Sequence, residues 1–338
     1  MIALIIVVVC CCLFLWPKTQ QKEPQPSPSP QPSPSPQPNG TQESLFSPLH
    51  IEGNKIKDQY GNDIELRGIS LMGLLFRYDG TAHYDKKWTE EGFVKLMEEW
   101  GFNKPGRSYI LRVPIQQENY NVWSTDDYFH VLDTLVEIAE KHHVYLLVDW
   151  HVFGNLSDPG LHDRTIRFWQ LFANKYKDSP AVLYEIFNEP YDISWNEWKV
   201  QVTEVIDTIR AIDPDSVIFV SGMDWGFDLR GVKSNPIDRG NIVYVSHVYA
   251  PKPRNWDEYF GFLSTKYPLF VSEFGIENES EISFARDLIQ YMEGKRICWT
   301  AWVLWEKSLV ESDWHTKTSF GRLVASNINN ENFTTALP

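Results

Sequence analysis

The chain has 338 residues and a formal net charge of -14. Its first forty residues differ in composition from the rest, which leaves roughly 300 for a folded part: enough for one barrel-sized core, too few for that plus a second module. So acidic a balance excludes a phosphate-collecting surface for nucleic acid or anionic lipid and suits a neutral substrate.

Ile2 to Trp16 is uninterrupted apolar sequence containing Cys10, Cys11 and Cys12. It is shorter than the ~20 residues of a full membrane span and has no basic segment before it and no Ala-x-Ala after it. Pro24 to Pro38 is a Pro-Ser-Gln repeat that reads as an extended linker unable to pack. A tether needs something at both ends, so a retained anchor is favoured over a cleaved signal. The expected organisation is a hydrophobic segment (1–16), a linker (17–43), one catalytic domain (44–330) and a tail (331–338). The domain is expected outside the cell, secreted or tethered to the outer face of the membrane through residues 2–16, and monomeric. Only Cys298 lies in the folded part, so no disulfide is possible within it.

From Ile51 onward, strand-like and helix-like stretches alternate. Glu65–Leu71 reads as a strand, Thr89–Trp100 as an amphipathic helix closed by Gly101, and Tyr109–Val113 as the next strand. A helix runs from Asp126/Asp127 to His143, followed by the apolar strand Val144–Trp150 and a helix over Asp163–Tyr176. Val182–Phe187 is a strand and Trp195–Ile212 a helix stopped by Asp213-Pro214. Val217–Val220, Ile242–Val248, Leu269–Val271 and Trp299–Leu304 complete the strands, with helices over Trp256–Lys266 and Ser280–Met292. Continuous apolar strands alternating with amphipathic helices indicate a parallel sheet covered on its faces. Eight strand candidates in this length point to an α/β fold of the closed (β/α)8, or TIM-barrel, type.

Chemistry in such a barrel sits at the C-terminal ends of the strands. Those ends carry Arg112, His151 after Asp149-Trp150, Asn188-Glu189, Ser221 to Trp225, His247 and Tyr249, Glu273, and Trp302 to Trp305. Two carboxylates far apart in sequence, Glu189 and Glu273, supply what glycosidic cleavage needs, a proton donor and a nucleophile. Fourteen tryptophans lean the same way, since neutral sugars stack on flat aromatics. No Cys/His spacing suggests a metal, no cofactor is expected, and no Gly-x-Ser-x-Gly elbow suggests an esterase.

The motifs Asn188-Glu189-Pro190, Ser272-Glu273-Phe274-Gly275, His247-Val248-Tyr249-Ala250, Val148-Asp149-Trp150-His151 and Leu111-Arg112-Val113-Pro114 make the chain resemble glycoside hydrolase family 5, the family of the endo-β-1,4-glucanases, from about Ile51 to Ile328. The resemblance implies Glu189 as acid/base and Glu273 as nucleophile, supported by Arg112, His151, Asn188, His247, Tyr249 and Trp302. It implies Trp302 rather than Trp305 as the sugar-facing tryptophan of the eighth strand, because Lys307 then falls where a substrate-binding lysine is expected. Lys307, Trp305, Trp225 and Tyr78 are further candidates for contact with a polysaccharide or oligosaccharide substrate. One departure is that Lys104 to Leu111 separate Asn103 from Arg112, where the family usually runs straight on. The expected activity is retaining, endo-acting cleavage of β-1,4-glucan. A β-mannanase, xyloglucanase or exo-β-glucosidase would share the same machinery, and a non-catalytic sugar-binding barrel is the reading from outside enzymology.

Overall fold

In the computed structural model, residues 46–74, 88–116 and 125–329 are described. The apolar run, the linker, Tyr78 and the 331–338 tail lie outside them. Eight parallel strands follow one another around a closed barrel: β1 (Leu66–Leu71), β2 (Ser108–Gln116), β3 (Val144–His151), β4 (Val182–Glu185), β5 (Ile218–Ser221), β6 (Ile242–Val248), β7 (Leu269–Phe274) and β8 (Cys298–Leu304). Closure is made by β8 on β1, with Thr300 opposite Gly68. Helices α1 (Glu90–Trp100), α2 (Thr125–Lys141), α3 (Pro159–Tyr176), α4 (Trp195–Arg210), α5 (Trp256–Tyr259), α6 (Ile282–Lys295) and α7 (Ser319–Ile328) accompany the strands.

Each strand sorts its side chains by the two-residue period of extended backbone. Leu111 and Val113, Leu146 and Val148, and Ile218 and Val220 join the core shared with the helices, together with Phe168, Trp169 and Trp198. Ile110, Leu147, Leu183, Phe219, Val245 and Phe270 form a second cluster inside the barrel. An antiparallel hairpin, Leu49–Glu52 with Lys55–Asp58, adds Leu49 and Ile56 to that inner cluster and stoppers the N-terminal end. Above the apolar plug, the same inward register continues with polar residues.

Local signals explain most boundaries. Thr89 accepts the Gly92 N–H to start α1, and Gly101 at φ 72° ends it. Ser194 and Glu197 form a reciprocal capping box at α4. Helix α3 begins at Pro159, earlier than expected, because Asp158 caps it and proline suits the first turn. The continuous helix expected over Trp256–Lys266 is instead one α-turn followed by a 3-10 turn, Gly261–Thr265. Gly261 sits there hard against the Tyr291 hydroxyl, where a Cβ would fall 1.6 Å away. Strand β2 starts at Ser108, so much of the apparent insertion before Arg112 is the strand itself. Helix α7 was not expected; Thr318 caps it.

Candidate active site

Arg112 stands at the centre of the C-terminal mouth, fully buried on β2. Its Nε donates to Glu185 at 2.5 Å, Nη1 to Glu273 at 2.5 Å and Nη2 to Asn188 at 2.8 Å, and Nη2 forms an ion pair with Asp149 at 2.9 Å. One guanidinium thus links β2, β3, β4 and β7 through charge-assisted hydrogen bonds and an ion pair. Burial by itself would raise the Glu273 carboxyl; the Arg112 charge, then His247, outweigh it and hold Glu273 below the ordinary carboxylate range. Tyr249 donates its hydroxyl to the other Glu273 oxygen at 2.9 Å. Burial and the Glu273 charge raise the phenol well above its usual range, so it remains a donor.

A β-bulge places Glu273. Ser246 lies opposite Val271 and His247 opposite Glu273, leaving Ser272 as the surplus residue. Phe270, Ser272 and Glu273 therefore all face inward, while Val271 and Phe274 pack against the helices.

Glu189 is held differently. Strand β4 ends at Glu185, short of the expected Phe187, and Glu189 follows four residues later in a two-residue pairing with Phe153-Gly154. Ser221 Oγ grips the Phe187 carbonyl at 2.9 Å and the Asn188 N–H bonds to Trp150 O at 3.1 Å. The Glu189 side chain is 14 % exposed and meets His247 Nδ1 at 2.8 Å. The direct partner of Glu189 is thus an imidazole. Burial lowers His247, but Glu273, Glu185 and Glu189 together raise it to about 10.

Oxygens of Glu189 and Glu273 and a ring nitrogen of His247 all lie within 4.8 Å of one another. A divalent cation could take such donors, yet both His247 nitrogens are engaged by protein, Nδ1 by Glu189 and Nε2 by Ser272. His151 bonds Asp149 at 2.6 Å and stacks on Trp302, centroids 5.4 Å apart and planes 3° from parallel. Trp302 is partly exposed at the mouth, whereas Trp305 packs edge-on against the buried Trp314.

The family model described as cellulase, glycosyl hydrolase family 5, matches residues 57–308. The chain belongs to glycosyl hydrolase family 5. Among curated relatives, it is 32% identical over 283 residues to Endoglucanase E-5 of Thermobifida fusca, covering 78% of this chain and 57% of that protein. It is 28% identical to Endoglucanase A of Butyrivibrio fibrisolvens, with 77% and 61% covered. The chain therefore spans about 57–61% of the length of these relatives. Among solved structures, a β-glucanase from Saccharophagus degradans in complex with cellotetraose superposes with a TM-score of 0.73 at 26% identity, covering 87% of this chain and 97% of that one.

Within this family 5 site, Arg112, His151, Asn188, Glu189, His247, Tyr249, Glu273 and Trp302 come together at the mouth. Trp225 is 44% exposed on a loop after β5, stacked on Tyr191 at 4.2 Å, with Phe153 6.1 Å away. Lys307 is exposed on the loop after β8. Three residues at the heart of the site, Asp149, Glu185 and Ser272, all fully buried, were given no role by the sequence reading. Each falls two places after an inward apolar residue, Leu147, Leu183 and Phe270. A charged or hydroxylated side chain at the lumen register of an apolar strand is the signal that would have found them.

Proposed function

We propose that the chain is a retaining endo-β-1,4-glucanase. The observation that carries this reading is the approach of the Glu189 and Glu273 oxygens to within 4.8 Å. Carboxyl groups about 5–5.5 Å apart serve a covalent route, whereas about 6.5–9.5 Å leaves room for an attacking water. Glu273, kept ionised by Arg112 and oriented by Tyr249, attacks the anomeric carbon. The glycosidic bond breaks as Glu189 gives a proton to the leaving oxygen. Water then attacks the glycosyl-enzyme from the same side, losing its proton to Glu189, and Glu273 departs.

Asn188 supports the same reading. Its Oδ1 is held by Arg112, while its buried Nδ2 has no partner among the described residues, a donor available for the sugar 2-hydroxyl. Trp302 offers a flat wall, and Trp225 with Phe153 an exposed aromatic surface beside Glu189. The named endoglucanases and the cellotetraose-bound relative favour glucan over mannan or xyloglucan. We further place the domain outside the cell, from the apolar run and Pro-Ser linker that precede it; no described helix is long and apolar enough to cross a membrane.

Proton NMR of cellotetraose hydrolysis tests the mechanism: the first-formed product keeps the β-anomer, and Glu273→Ala loses at least about 10³-fold in kcat with its fold intact. An initial α-anomer would refute the covalent route. Release of reducing ends from carboxymethyl-cellulose, mannan and xyloglucan ranks the substrates, and prompt loss of viscosity separates endo from exo action.

A further inference from the structure

Behind the Glu189–His247 pair lies a buried chain of hydrogen bonds that the reaction scheme above does not use. His247 Nε2 meets Ser272 Oγ at 2.9 Å, Ser272 Oγ meets Glu185 Oε1 at 2.6 Å, and Glu185 Oε2 accepts from Arg112 Nε at 2.5 Å. Glu185 and Ser272 are fully buried and His247 is 1 % exposed, so no bulk water reorients the chain.

Its direction follows from counting protons. Burial opposes charge on Glu185, but Arg112 and then His247 bring its carboxyl down to about 2, so at neutral pH it accepts only. The single Ser272 proton must therefore point at Glu185. The Ser272 oxygen can then only accept from the ring, and His247 must carry hydrogen on Nε2. That leaves Nδ1 as the one ring position able to gain or lose a proton, and Nδ1 faces Glu189.

We propose that Glu185, acting through Ser272, is a positioning residue that fixes Nε2–H on His247 and so confines one exchangeable proton to the Glu189–His247 pair. This rests on the hydrolase reading above and gives its acid a source. The proton passes from Nδ1 to Glu189, then to the leaving oxygen as the glycosidic bond breaks. The pair is then a neutral imidazole and a carboxylate, and it regains the proton from the attacking water. The charged groups facing the ring are Glu185 and Glu189, from β4 and the segment after it, and Glu273 from β7 at 3.8 Å. The loop after β5 brings Gly226 against the ring, and its absent side chain leaves room for it.

Glu185→Gln tests this by polarity. The new amide would donate to Ser272, turn the hydroxyl toward Nε2, and strip Nε2 of its hydrogen. Ser272→Ala is the companion variant, should Glu185→Gln fail to fold, and Ser272→Thr restores the hydroxyl. Kinetics are compared on cellotetraose, whose leaving group needs an acid, and on 2,4-dinitrophenyl cellobioside, whose leaving group does not. The expected result is a loss of about 10- to 100-fold in kcat/KM on cellotetraose, part of the about 10²- to 10⁴-fold that general acid catalysis supplies. The activated glycoside should lose less than about threefold, and the basic limb of the cellotetraose pH profile should move down by about one unit or more. Ser272→Thr should return the limb toward its original position. Equal losses on both substrates with an unmoved basic limb would mean a purely structural role and overturn the proposal. A parent enzyme that cleaves neither substrate would instead refute the hydrolase reading itself.

Discussion

Replacing Arg112 with methionine leaves a cavity-compatible side chain and removes the one charge shared by Asp149, Glu185 and Glu273. At an effective dielectric of about 20 and charge separations near 4 Å, each pair is worth about 4 kcal/mol gross. Desolvation of the fully buried guanidinium cancels much of that sum, but the carboxylates remain buried when their partner goes. Breaking one side of such an arrangement costs about 3–5 kcal/mol, a large share of a domain's ~5–15 kcal/mol. With a urea slope of about 3 kcal/mol per M, the midpoint at pH 7 should fall by about 1–1.7 M. The loss carries a pH signature. Glu185 has a folded pKa of about 2 against an ordinary 4.5, so its contribution is complete above 4.5 and disappears as pH falls through 2. The gap between parent and Arg112→Met should therefore narrow on acidification across that window. Urea titrations at pH 7, 4.5 and 3, followed by tryptophan fluorescence, measure both effects. A midpoint shift below about 0.3 M, or a gap that widens toward acid, would refute the assignment of Arg112 as the counter-charge.

Three further outcomes are expected. For the parent, His247 is raised to about 10, so its stabilisation is complete below an ordinary 6.5 and lost as pH rises through 10; thermal stability should be highest between about pH 4.5 and 6.5, and a maximum at pH 9 would contradict the site's charge pattern. Trp225→Ala removes an exposed stacking face and should raise KM for cello-oligosaccharides about 3- to 10-fold with kcat held; an unchanged KM on the longest soluble oligomer would place the substrate elsewhere. Gly226 has φ 77° and a Cβ there would fall 2.8 Å from His247 Cγ, so Gly226→Ala should cost about 1–3 kcal/mol and lower kcat, read by melting curves and initial rates.

Much of this architecture was legible because its signals are local. Apolar runs such as Val144–Val148, capping residues such as Thr89 and breakers such as Gly101 fix elements within a few positions. Glu189 and Glu273 stood out because a carboxylate beside a tight turn has no packing role. Glu185 did not, since a buried acid inside Val182–Ile186 gains its meaning from Arg112, 73 residues away, and from Ser272, 87 residues away. The end of β4 was placed too late for a related reason: Ile186 and Phe187 look like strand and pack outward, but past the Ile186 N–H bond to Phe219 O their carbonyls are taken by side chains, Trp169 Nε1 and Ser221 Oγ. The break at Gly261 depends on Tyr291, a contact across the helix layer that no window of sequence contains.

The surplus residue in β7 has a consequence for how related proteins should be compared. Regular extended chain alternates its faces, so a stave normally offers the reaction one group per two positions. By placing one residue out of step, this stave supplies the Glu273 carboxylate and, beside it, the Ser272 hydroxyl that meets the facing imidazole. A relative that lacked the irregularity could keep its acid but would have to recruit that hydroxyl from another stave. Aligning such chains without a gap there would match groups of different purpose.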